Sequence, residues 1–124
     1  MNNNQEQLKN LKQELGNLDK MIDETIDSLQ FGTGGYEKLT GVIEKMDEQF
    51  KGIGEIKDRV SEEDVAFFKR LLALSQETNA ILVRLIEAMS AGDVVLLVDL
   101  MQYELKERIE KWTRLISRLE ISMN

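Results

Sequence analysis

The chain has 124 residues, 42% hydrophobic and 31% charged, which suits one ordinary domain, residues 1–124, able to bury about two-thirds of its unfolded surface without staples. It contains no cysteine and no histidine, which removes disulfides, thiolate nucleophiles, ordinary zinc sites, Ser-His-Asp triads and the usual near-neutral general base. The 16 basic residues stand against 23 acidic ones, a net charge of −7, and the deficit is spread so that no segment forms the cationic arm that nucleic acid or an anionic membrane surface requires.

The N-terminus, Met1-Asn2-Asn3-Asn4-Gln5, lacks the basic and apolar regions of a signal peptide, so a cytoplasmic location is expected. Proline is absent and apolar residues recur at steps of three and four, which predicts long helices over about 4–31, 36–58, 62–91 and 94–122. In the first, Leu8, Leu11, Leu15, Leu18, Ile22, Thr25 and Leu29 form the stripe of a helix packed lengthwise on a neighbour, broken only by Thr25. Phe31-Gly32-Thr33-Gly34-Gly35 then supplies the conformational freedom of a helix end and reversal. Without a preceding strand or a Gly-Lys-Ser/Thr sequence it is a turn and no phosphate loop.

The second segment places Tyr36, Leu39, Ile43, Met46, Phe50 and Ile53 on one stripe. Gly41, Gly52 and Gly54 weaken it, and residues 52–60 are expected to fray or bend. Ser61 followed by Glu62, Glu63 and Asp64 reads as an N-cap with an acidic first turn opening the third helix. That helix carries two stripes: Phe67, Leu71, Leu74, Ile81 and Leu85, beside Val65, Phe68, Leu72, Leu82, Ile86 and Met89. Ala66, Ala73 and Ala80 line the opposite side, either to let a further helix approach or simply as good helix formers.

Gly92-Asp93 reads as a C-terminal glycine followed at once by a new N-cap. The fourth helix opens on Val94, Val95, Leu96, Leu97 and Val98, apolar around its whole circumference, which points to a surface shared with another chain. The run to Met101 is broken by Asp99 and is far short of the roughly 20 residues that cross a bilayer. With Asp99, Gln102, Lys106, Glu110, Thr113 and Ser117 on the wet face, Met101, Leu105, Trp112, Leu115 and Leu119 fall on the dry one and Val95 turns outward. The basic residues between Lys106 and Arg118 alternate with Glu107 and Glu110, the pattern of a solvated, ion-paired face.

Carboxylates at i,i+3 can hold a divalent ion in a helical bundle. Here they are Glu24/Asp27, Glu44/Asp47, Glu55/Asp58, Glu104/Glu107 and Glu107/Glu110, close to the number that random placement of the acids gives, so no metal site is assigned. Polar residues on dry stripes, Thr25, Ser75 and Asn79, read as locally bonded or register-setting. Arg108 projects near Leu105 and Trp112, with Glu104 one turn earlier placed for an ion pair. Arg and Trp are favoured interface anchors, so Glu104, Arg108 and Trp112 read as part of a partner groove.

The stretch Asp99-x-x-x-Tyr103-Glu104-Leu105, followed by Ile109 and Trp112, resembles the C-terminal helix of short uncharacterised helical proteins from spore-forming Gram-positive bacteria, with Glu107 where that family carries proline. The resemblance implies a helical fold and no particular activity. Size, acidity and helix count also resemble the small flagellar export chaperones, a likeness of architecture that carries no residue-level motif.

Together these readings predict an all-α chain, an antiparallel four-helix up-down bundle of long amphipathic helices completed by dimerisation. The expected function is a non-enzymatic cytoplasmic interaction module (adaptor, scaffold or chaperone-like) with no catalytic residues, metal or cofactor. It would bind a protein partner or a second copy, as a homodimer, through Val95, Leu96, Met101, Glu104, Arg108 and Trp112. The alternative is an all-α magnesium-dependent nucleotide pyrophosphohydrolase with Glu24, Asp27, Glu44 and Asp47 as ligands.

Overall fold

A computed structural model describes residues 3–57 and 65–122. The expected Ser61 cap, the acids that follow it and Asp58 lie outside the described residues, as do the side chains of Val65 and Phe68. Helix α1 spans Asn3–Phe31, α2 Gly35–Lys57 and α3 Val65–Ala91. A fourth helical rod consists of α4 (Val94–Asp99), a π-helical turn (Leu100–Leu105) and α5 (Lys106–Ser122). No strand occurs among the described residues, so the protein is all-α.

Helix α1 forms as its repeat requires. Leu8, Leu11, Leu15, Leu18, Ile22, Thr25 and Ile26 are all buried, while Leu29 is only partly covered. The stripe touches α2 on one side and α5 on the other. Polar pairs bracket both contacts: Gln7–Glu55, Glu14–Lys45 and Ser28–Lys38 toward α2, and Lys12–Glu120 and Asp23–Lys106 toward α5. Thr25 resolves its place in the stripe by donating to the Met21 carbonyl at 2.7 Å, a local bond that satisfies the hydroxyl without a cross-helix partner.

The turn at residues 32–34 requires glycine twice, for different reasons. Gly34 has a φ of +76°, which other residues adopt only at a cost. A Cβ on Gly35 would stand 2.6 Å from Leu29 Cδ2 and 3.2 Å from Leu29 Cα, so the start of α2 approaches α1 closely only because that atom is missing.

In α2 the buried face is Leu39, Val42, Met46, Gln49 and Ile53. This corrects the stripe read from the sequence: Val42 and Gln49 take the inner positions, Ile43 and Phe50 are half-buried at its edge, and Tyr36 is exposed. Gln49 went unnoticed as a core position because it is polar, and its Oε1 is buried without a hydrogen-bond partner among the described residues. Despite its glycines, α2 continues to Lys57, so helix persists through most of the stretch expected to fray.

Helix α3 buries Phe67, Leu71, Leu74, Thr78, Ile81, Leu82, Leu85 and Ala88. Its second expected stripe is not buried as a whole. Leu72 and Ile86 are exposed, Asn79 faces solvent, and Ala66, Ala73 and Ala80 lie on the outside. Ser75 donates to the Leu71 carbonyl. At its end the Gly92 N–H reaches the Met89 carbonyl and the Asp93 N–H the Ala88 carbonyl, the paired bonds of a Schellman stop, with Gly92 at φ +68°. Asp93 Oδ1 then accepts the Leu96 N–H at 3.1 Å and caps α4, as the sequence predicts.

The π turn is the one backbone feature with no counterpart in the sequence reading. Leu97, Met101, Leu105 and Ile109 are all buried, and they recur in steps of four. Each such step overshoots a full α-helical turn by about 40°, so three of them would carry the last side chain about 120° off the core. A wider turn, closed by the Lys106 N–H on the Met101 carbonyl, absorbs that drift and keeps all four on one face.

Candidate functional site

The six residues expected to bind a partner separate into core and surface. Met101 is 0% and Trp112 1% exposed; both are interior, a correction to their assignment as surface anchors. The physical reason is that the Trp112 ring is used within the chain. It packs against Phe50 of α2 in a T-shaped arrangement at a centroid distance of 6.1 Å. Its Nε1–H donates to Thr78 Oγ1 of α3 at 3.1 Å, and Thr78 in turn donates to the Leu74 carbonyl at 2.7 Å. A tryptophan satisfied at both its apolar body and its polar edge is a structural keystone.

Glu104 and Arg108 are not joined to each other, contrary to the i,i+4 expectation. Glu104 accepts from Arg84 of α3 at 2.9 Å, and Arg108 Nε stands 3.3 Å from Glu77 Oε2 of α3, with its Nη1 3.2 Å from Glu107. The Arg84–Glu104 and Arg108–Glu77 pairs tie the fourth rod to α3. Val95, 74% exposed, and Leu96, at 37%, do remain at the surface, while Leu97 and Val98 beside them are buried. The apolar opening of α4 is therefore divided between core and solvent.

A further apolar surface lies along the seam between α2 and α3, which touch only sparsely among the described residues. A groove of about 320 Å³ runs there between Phe50, Ile53 and Gly54 on one wall and Leu71, Leu72, Ser75 and Asn79 on the other. Leu72, Val83 and Ile86 are 54%, 46% and 45% exposed and follow one another along the same flank of α3. Sequence patterning places Leu72 and Ile86 on the second of two adjacent apolar stripes, a width that suggests contact with two neighbours, whether helices of this chain or of a second copy; nothing in a hydrophobic repeat distinguishes a covered stripe from an open one.

Two further grooves flank the fourth rod. One, between α1 and the π turn, is lined by Gly16, Asp19, Tyr103 and Lys106 among others. Lys106 there ion-pairs with Asp23 and lies 3.8 Å from Asp19; the hydrogen bond to Asp23 is the main reason its ammonium is held above its ordinary pKa, against a smaller opposing effect of burial. The other, about 300 Å³, lies between α3 and α5 and is lined by Arg70, Ala73, Leu74, Glu77, Lys111, Arg114, Leu115 and Arg118. Lys111–Glu107 and Arg114–Glu110 pair at i,i+4 along α5.

The carboxylates of the nucleotide-hydrolase alternative, Glu24, Asp27, Glu44 and Asp47, all face solvent. Among the described residues no group of three or more acids is placed to share a metal ion. No described helix is long and apolar enough to cross a membrane.

Comparison with known proteins gives one match. Residues 1–115 match the profile of a domain of unknown function, DUF8042. The chain belongs to the DUF8042 family. Its all-helical architecture agrees with the resemblance to uncharacterised helical proteins noted in the sequence. No curated protein and no solved structure matches the DUF8042 chain. The match spans α1 to α3, the π turn and the Trp112 keystone, so every groove described above draws its walls wholly or mainly from the DUF8042 region.

Proposed function

We propose that this DUF8042 chain is a single-domain, non-enzymatic interaction module: an antiparallel up-down helical bundle that binds an amphipathic helix, from a protein partner or a second copy of itself, by helix-in-groove packing. The order of cross-helix pairs supports the antiparallel arrangement, because residues advancing along α1 meet residues receding along α2 and α5. The observation that carries the functional reading is the row of exposed aliphatic side chains on one flank of α3, Leu72, Val83 and Ile86, the first of which lines the α2–α3 groove. Aliphatic side chains spaced along one helix flank next to a groove supply the anchor pattern that a partner helix reads, and their exposure is otherwise a solubility cost. Val95 and Leu96 are a second, smaller apolar patch at the α4 start.

The test is association of the full chain, measured by light scattering over about two decades of concentration and by recovery with its co-purifying proteins. The expected result is saturable association that L72E/I86E abolishes while the helical circular dichroism is retained. Association that survives L72E/I86E but fails in V95E/L96E would move the surface to the start of α4. Survival in both would overturn the reading.

A further inference from the structure

We propose that the groove between α3 and α5 is a second docking surface, selective for an acidic amphipathic helix of a protein partner. The groove is distinguished by its charge. Arg70 stands on the α3 wall and Lys111, Arg114 and Arg118 on the α5 wall, around a floor of Leu74 and Leu115. This concentration of cations occurs in a chain whose net charge is −7. Glu77, the carboxylate in the lining, is already held by Arg108 at 3.3 Å. Neither Arg70 nor Arg118 forms an ion pair among the described residues, although the chain has acids in excess.

The pairs that Lys111 and Arg114 do make run along α5, not across the groove, and all four side chains are well exposed. Such pairs contribute little and exchange readily for an incoming carboxylate. Ala73 contributes a small side chain to the α3 wall, which leaves room over the apolar floor. The α5 cations fall at i, i+3 and i+7, so they follow about two turns of helix. A ligand that matches this surface carries apolar side chains on one face and carboxylates on both flanks. A nucleic acid or an anionic bilayer offers the charge without the apolar ridge, and both are repelled by the acidic remainder of the chain. Among the described residues the α2–α3 groove has no charged residue in its lining, so the two grooves select chemically different partners and either can operate without the other.

The experiment uses the full chain and a fluorescently labelled synthetic peptide of about 20 residues, with leucines at heptad spacing flanked by glutamates. Anisotropy should show saturable binding that weakens at least about tenfold as salt rises from about 50 to 300 mM. R70E/R118E should weaken binding by about tenfold or more, and the neutral R70Q/R118Q by a smaller factor, with helical circular dichroism unchanged. L72E/I86E should leave it intact, which separates this surface from the seam. Absence of saturable binding would overturn the proposal, as would equal binding of the lysine counterpart or indifference to the Arg70 and Arg118 substitutions. Tighter, Arg70- and Arg118-dependent binding of single-stranded DNA or phosphatidylserine vesicles would overturn it in favour of those polyanions.

Discussion

Helices α1 and α3 are similar in length but differ in how fully the fold uses them. Helix α1 is the more polar of the two, yet every apolar residue from Leu8 to Ile26 that shares its stripe is covered, and ion pairs close the stripe on both sides. Helix α3 is the more apolar, yet it leaves Leu72, Val83 and Ile86 in solvent and meets α2 only sparsely. Apolar content therefore does not measure how well a helix is held; what counts is whether the neighbours reach around it. The exposed aliphatic side chains on α3 are, like Val95 at the start of α4, apolar surface that intramolecular packing does not explain.

The difference can be broken most directly by matched truncations. Leu18→Ala in α1 empties a fully buried position and should cost about 2–5 kcal/mol. Leu72→Ala in α3 removes an exposed side chain and should change the stability of the unassociated chain by no more than about 0.5 kcal/mol. Urea denaturation of both variants, at a concentration where the chain is unassociated, checks the pair. A large loss for Leu72→Ala would mean that the seam is closed in solution and that α3 is as fully packed as α1.

A smaller and sharper contrast concerns two buried threonines. The Thr78 hydroxyl of α3 accepts the Trp112 N–H, whereas the Thr25 hydroxyl of α1 donates only to a carbonyl of its own helix. Thr78→Val keeps the shape and orphans a buried indole N–H, which should cost about 1–3 kcal/mol. Thr25→Val orphans nothing that the helix does not already satisfy and should be nearly neutral. Near-ultraviolet circular dichroism, which reads the packing of the chain's one tryptophan, should change in the first variant alone.

The legibility of these features in the sequence follows from their physics. The α1 stripe, the Gly34 and Gly92 turns and the Asp93 cap depend on local residue chemistry, and each is where local chemistry puts it. The α2 stripe read from the sequence differs from the buried face because Ile43 and Phe50 are more apolar than Gln49, while the helix buries Val42 and Gln49. The π turn depends on the cumulative drift of Leu97, Met101, Leu105 and Ile109, a signal present in the sequence as three successive steps of four. The candidate surfaces were hardest to read. Trp112 and Arg108 resemble interface anchors by residue type, but Thr78, Phe50 and Glu77, distant in sequence, consume them. Conversely, Arg70 meets Arg118 across a groove that no single-helix pattern contains.

The smallest expected effect concerns how α1 is held by its two neighbours. Lys45 of α2 and Lys106 of α5 each pair with carboxylates of α1, and both ammonium groups are held above their ordinary pKa, Lys45 chiefly by hydrogen bonding to Glu14 and Lys106 chiefly by hydrogen bonding to Asp23. A lysine whose pKa is raised on folding contributes stability that is fully present below its unfolded value, near 10.4, and is lost as pH rises through the folded value. These two contributions should therefore be lost only as the pH rises above about 10.4, and the loss of thermal stability should be modest because both pairs are partly exposed. The Lys106 side chain is 29% exposed and the Lys45 side chain 38%, so the Lys106 ammonium is the less screened of the two. Asp23→Asn should accordingly flatten the alkaline decline in melting temperature more than Glu14→Gln does. Equal flattening would mean that the two flanks of α1 are electrostatically equivalent. A decline untouched by either substitution would assign the alkaline loss to other groups and leave the hold on α1 to the leucine stripe alone.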